Sequence, residues 1–389
     1  MLRAIRTLLP VVPVFTWLAV LVSLPICLPH VAIADPLDQT VAVETPALTA
    51  SESAEVMAET LLGRAYQDGA SVPQNYAEAA RLYRRAASRG LALAQYYLGF
   101  LHLSGLGVRQ NHAEAARWLR LAAEQGDADA QVLIGVLYYN GQGVQRDYHQ
   151  ALHWFKLAAA QGKPHAQYSL GMMYSMGQGV PVNEAQAVSW YQLAAGQRHP
   201  AASHNLGLKY FEGNGVAQDR EAALQLFRQA ADLGLAESQY VLGHVYLIGE
   251  EVTKDCSEAM YWSRLGAKQG HAGGQVSLGL MYARGDGVSQ DGDEAVRWFR
   301  AAADQGDSRG QLNLAMAYWA GMGVTQDSIE AYLWATMSAS QRNEEAKELQ
   351  AAIQKEMTPA QWSKAKRLAQ AWKARMQGPQ KLKLLHERP

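Results

Sequence analysis

Residues 130–165 read AQVLIGVLYYNGQGVQRDYHQALHWFKLAAAQGKPH, and the rest of the folded chain repeats this unit. Shifted by 36 residues, the sequence returns in register without insertion or deletion. Leucine or isoleucine recurs at Leu62, Leu98, Ile134, Leu170, Leu206, Leu242, Leu278 and Leu314. Glycine follows each except the last, where Ala315 stands. Three residues after that position comes Tyr66, Tyr138, Tyr174, Tyr210, Tyr246, Tyr282 or Tyr318, and His102 in the second copy. Eight phased copies define a stacked array in which each unit buries its apolar face on its neighbours.

The unit is a helix hairpin. Ala130, Ile134 and Tyr138 recur at helical spacing, and Gly141 and Gly143 then stop the helix. Asp147 opens a second helix as its N-cap, and every copy carries Asn or Asp there. Three residues on stands Glu or Gln in every copy except at Ala222, the spacing of a capping box. The second helix is expected to bury Ala151, Trp154 and Ala158 and to end at Gly162.

The pattern A-x-x-x-L-G-x-x-Y-x-x-G-x-G-V-x-x-D-x-x-x-A-x-x-W-x-x-x-A-A-x-x-G resembles the Sel1-like repeat, a relative of the tetratricopeptide repeat. The resemblance covers residues 54–342, with departures at Leu82 and Leu226 (for Trp), Arg198 and Arg342 (for the terminal Gly) and Glu251 (for a turn Gly). It implies an all-α fold: an α-solenoid of eight 36-residue helix-turn-helix repeats. It also implies a non-enzymatic scaffold that binds other proteins or peptides through a concave face lined by the first helices.

The chain's ends read differently. In residues 1–34, Arg3 and Arg6 precede an apolar run from Leu8 to Leu28, and Ala32-Ile33-Ala34 offers a cleavage site. This is the pattern of a signal peptide and points to a bacterial periplasmic or secreted protein. Left uncleaved, the segment would anchor the chain in the inner membrane. Residues 35–53 read as a flexible tether, 343–378 as a C-terminal helical cap and 379–389 as a basic tail.

Net charge is −1 over 389 residues, so no basic excess points to nucleic acid. Cys27 and Cys256 are the only cysteines, too few for the bridge-per-repeat framework of the cysteine-rich Sel1-like branch. Ser363-x-x-Lys366 lacks the companion motifs of a penicillin-recognising site. His149 and His153 share a helix face without a further metal-ligating partner, so no metal and no cofactor is expected.

Binding information belongs where copies differ within a constant frame. One stripe runs three, seven and ten residues after the repeat's alanine position. In it, Tyr97, Asn205, Lys209, Glu212 and Arg284 are the candidate partner-binding residues. Lys209→Glu with Arg284→Glu is expected to weaken partner capture without shifting the melting temperature. Glu250 and Glu251 occupy a turn where other copies carry glycine or a small polar residue. The alternative reading is a cell-wall or polysaccharide-associated accessory factor or hydrolase, using exposed aromatics such as Tyr97, Tyr139 and Phe211.

Overall fold

The computed structural model describes residues 49–249 and 252–377, with side chains as far as residue 372. The signal-peptide segment, most of the tether, Glu250, Glu251 and the basic tail lie outside the described residues. Eighteen α-helices and no strands are found among the described residues. Two compact units meet in sequence at Gln218 and Asp219.

The first unit holds α1 (Ala50–Asp68), α2 (Tyr76–Ser88), α3 (Ala92–Ser104), α4 (His112–Glu124), α5 (Ala128–Asn140), α6 (Tyr148–Ala160), α7 (Pro164–Met176), α8 (Glu184–Gly196) and α9 (Pro200–Glu212). The second holds α10 (Arg220–Asp232), α11 (Ala236–Ile248), α12 (Cys256–Lys268), α13 (Ala272–Arg284), α14 (Gly292–Asp304), α15 (Ser308–Ala320), α16 (Ser328–Ser340), α17 (Glu344–Glu356) and α18 (Pro359–Gln377). Within each unit, consecutive helices pack pairwise along the chain as far as α17, as nearest-neighbour stacking requires.

Local chemistry sets the helix ends. Gly141 closes α5 in the left-handed region at φ 70°, its N–H donating to the Leu137 carbonyl. Gly143, at φ 73°, also lies against the start of α4 in the preceding hairpin: a Cβ there would sit 2.2 Å from the His112 carbonyl carbon. The second turn glycine is therefore a packing requirement as well as a conformational one. Asp147 caps α6, its Oδ1 accepting from the N–H groups of His149 (2.8 Å) and Gln150 (3.1 Å). The reciprocal capping-box bond is made at Thr49/Glu52 and at Thr358/Gln361. In several repeats the glutamate three residues after the cap bonds elsewhere, Glu78 to Arg81 and Glu258 to Arg228 and Trp262.

Because Thr49 and Glu52 form that box, α1 begins at Ala50, inside the stretch read as a tether. Arg198 (φ 61°) and Arg342 (φ 66°) take the left-handed conformation in which the other repeats place glycine. At the described end, α18 packs on α16, with Ala365 and Ala369 buried and Trp362 edge-on to Tyr332 at 5.1 Å.

The second helix of the 130–165 hairpin, α6, buries Ala151, Trp154 and Ala158, as the sequence reading expects. Trp154 is buried, but the ring closed off completely belongs to its neighbour Phe155, at 1% exposure. Tyr83, Leu119, Tyr191, Phe227 and Phe299 hold the same register and are equally enclosed. The Trp series is the outer layer of the core, and the residue after it is the inner layer.

Candidate protein-binding face

The three positions of the candidate stripe differ in kind. Positions three and seven face the packing between helices: Leu101, Leu137, Met173 and Met281 are fully buried. Position ten falls at the end of each first helix, where Met176, Glu212, Ile248, Arg284 and Ala320 are exposed.

The five candidate residues divide accordingly. Tyr97 is half-buried and stacks on Tyr83, with ring centroids 5.0 Å apart and planes inclined at 18°. Asn205 is 1% exposed, its Nδ2 3.5 Å from the Tyr191 hydroxyl. Lys209 is 7% exposed, its Nζ 2.7 Å from Glu184 and 3.0 Å from the Ser175 Oγ. Glu212 and Arg284 are exposed, and their side chains make no hydrogen bond or ion pair among the described residues.

Lys209 is thus a tie between α7, α8 and α9 rather than a surface charge. A buried cation is retained only with its partner. The expectation that Lys209→Glu would leave the melting temperature unchanged is corrected, since it would set two carboxylates together. Glu212 and Arg284 lie in different units and remain as open positions.

The aromatics named for the polysaccharide alternative are also mostly enclosed. Tyr139 and Phe211 are each 7% exposed, and the Tyr139 hydroxyl donates to Gln178 at 2.7 Å. Neither presents a ring face for sugar stacking.

Sequence reasoning missed the polar connection between neighbouring repeats. The Gln161 Nε2 donates to the Gln131 Oε1 at 2.9 Å and to the Gly126 carbonyl at 3.1 Å. The Gln131 Nε2 in turn reaches the Ala123 carbonyl at 3.1 Å. The same glutamine pair joins Gln125 to Gln95, Gln197 to Gln167, Gln269 to Gln239, Gln305 to Gln275 and Gln341 to Gln311. Glutamine recurring at a fixed, buried position of the first helices and again at the C-cap of the second helices is the signal that would have found it.

The repeat frame matches known proteins. The Sel1 repeat family matches in eight consecutive segments, 56–91, 92–127, 128–163, 164–199, 200–235, 236–271, 272–307 and 308–343. The chain belongs to the Sel1 repeat family. A Sel1 repeat protein from Oxalobacter formigenes has 34% identity over 78% of this chain and 88% of its own, with a TM-score of 0.60. A protective antigen of uropathogenic Escherichia coli strains, displaying an SLR fold, has 31% identity over 87% of this chain and 89% of its own, with a TM-score of 0.45. No curated protein matches the chain.

Sel1 repeat proteins generally act as scaffolds for protein interaction. In this Sel1 repeat chain, the frame that holds the helices is constant, and the exposed ends of the first helices are not.

Proposed function

We propose that this Sel1 repeat protein is a non-enzymatic scaffold that captures other proteins, exported to the bacterial periplasm or beyond. One observation carries the binding reading. Position ten of the first helices is half-buried at Ser104 and Asn140 but exposed at Met176 and Glu212 in the same unit, and exposed at Ile248, Arg284 and Ala320 in the other. Each has a different chemistry on one structural frame. Met176 is joined by Val182 in the following turn, the two being 43% and 62% exposed. Exposed apolar side chains beside charged ones are the composition of a protein-binding surface rather than of a solvated edge.

Export rests on the N-terminal segment: Arg3 and Arg6, the apolar run and Ala32-Ile33-Ala34. Partners in envelope complexes or in contact with a host follow from that location.

Photo-crosslinking in the native host tests the surface. A crosslinkable residue at Met176 or Glu212 should capture the same partner, and one at Ser88, on a second helix, should not. Equal capture from all three positions would remove the surface as the binding face. N-terminal sequencing of the mature protein tests export, which predicts a chain beginning at Asp35.

A further inference from the structure

The second repeat breaks the register at one chemically specific point. In four other repeats, the residue 18 positions before the repeat's tyrosine donates to its phenol. Gln192 donates to Tyr210 at 3.2 Å, Arg228 to Tyr246 at 2.7 Å and Arg264 to Tyr282 at 3.2 Å, and Arg300 bonds Tyr318. Arg84 holds that donor position for the second repeat, but His102 replaces the tyrosine and brings no hydroxyl.

Several things follow from that replacement. The Arg84 guanidinium makes no hydrogen bond or ion pair among the described residues, and neither does that of Arg109 on the turn after α3. The shorter imidazole ends in a hollow of about 620 Å³ lined by Arg84, His102, Val108, Arg109, Gln110 and Asn111. His102 is 7% exposed, and its Nδ1 is buried without a hydrogen-bond partner. Nearby carboxylates have other cations: Glu78 holds Arg81, Glu59 holds Arg85, and Glu114 lies 3.8 Å from Arg117.

We propose that this hollow between α2 and the turn after α3 binds a phosphate group, held by Arg84 and Arg109 with His102 beneath it. The guanidinium fork matches the oxygens of a tetrahedral oxyanion, and charge-assisted bonds of this kind are the strong ones. The buried His102 Nδ1 can donate to an anion oxygen once it carries a proton, which the charge of a bound anion favours. Burial first, then the Arg84 charge, hold the His102 imidazole below its ordinary pKa, while Glu114 and the Arg109 backbone act in the opposite sense. A bound dianion offsets both leading causes. The assignment does not depend on the scaffold reading, because every residue in it belongs to one corner of the first unit.

Calorimetric titration of the full chain with inorganic phosphate tests the site. Saturable one-site binding is expected, with sulfate also bound and acetate bound far more weakly. His102→Tyr restores the residue the other repeats use, fills the hollow and gives Arg84 its phenol. It should weaken phosphate binding about tenfold or more while keeping the melting temperature. Arg84→Gln and Arg109→Gln should each weaken it to a similar degree, and Arg264→Gln should leave it unchanged. Methyl phosphate distinguishes the source: binding comparable to phosphate assigns the site to a phosphomonoester, and binding of phosphate alone to the free ion. Absence of saturable binding, full affinity in the folded His102→Tyr protein, or acetate binding as tight as phosphate would each overturn the assignment.

Discussion

Gly135 in α5 lies flat against the Phe155 ring of α6, so close that a Cβ at 135 would fall 2.7 Å from the Phe155 Cε1. The same relation holds between Gly171 and Tyr191 (2.5 Å) and between Gly279 and Phe299 (2.6 Å). Where the glycine is missing, at Ala315, the facing register position is Ala335, and both are fully buried. Glycine and a large ring, or alanine and alanine, fill the same space. The glycine after each repeat leucine is therefore kept for volume, not for backbone freedom, because it sits within a regular helix.

Gly135→Ala should cost about 1–3 kcal/mol by overpacking, and Phe155→Ala about 3–5 kcal/mol by leaving a cavity. Combined, the two should cost less than their sum, because each relieves the defect the other creates. Urea denaturation of the two single variants and the double variant measures this. Strict additivity would show that the contact does not set the volume at this position.

What the sequence discloses, and what it hides, follows from how far apart the interacting residues are. The period, the glycine stops and the Asp147 cap are local, so each can be read within a few residues. The tie between Lys209 and Glu184 is not local: on a helical wheel Lys209 sits in a variable stripe, and only the fold brings α8 to it. The choice of Phe155 over Trp154 as the innermost ring needs the angle between helices, which periodicity leaves free. Of the candidate site, Glu212 and Arg284 keep the exposure expected of them, while Asn205 and Lys209 are absorbed into packing.

The glutamine pairs should contribute to stability as buried hydrogen bonds do. Gln131→Leu removes the acceptor of Gln161 and the donor to the Ala123 carbonyl. Leaving such groups unpaired costs about 1–3 kcal/mol. Amide exchange should show the loss concentrated around α4 to α7, with distant repeats still protected, since coupling runs through neighbours. Equal loss across all described helices would contradict nearest-neighbour stacking.

Lys209 supplies a prediction opposite to the one its place in the stripe suggests. Lys209→Glu should destabilise the chain by about 3–5 kcal/mol, the consequence of an uncompensated buried charge. Lys209→Met with Glu184→Gln removes both charges and should recover most of that loss. Arg284→Glu should leave the melting temperature unchanged, because the side chain is exposed and unpaired among the described residues. Thermal melts of these three proteins check the ordering. Arg284→Glu is then the clean probe of partner capture, and Lys209→Glu is not.

The buried histidine cap of α9 should make stability depend on pH. The His199 Nδ1 accepts the Ala202 N–H at 3.2 Å, so its proton sits on Nε2, 3.0 Å from the His165 Nδ1, and its ring stacks on Tyr168 at 4.8 Å. Burial first, and then His165, push its pKa down to about 3. In an unfolded chain the same group titrates near 6.5, so between those values the unfolded state takes up the proton more readily. The stability His199 contributes is therefore complete above about pH 6.5 and is lost as pH falls toward 3. Within that window one such group gives a slope of up to about 1.4 kcal/mol per pH unit. His271 caps α13 in the same way, through the Gly274 N–H at 3.1 Å, and burial lowers its pKa in the same direction.

His199→Asn tests the assignment, since Asn343 already fills this cap position in the last repeat and cannot titrate. Denaturation between about pH 7 and pH 5, above the carboxylate range, should show a shallower loss of stability in His199→Asn than in the parent chain, and a further flattening when His271→Asn is added. An unchanged slope in both variants would mean that these imidazoles do not govern the acid response of the fold.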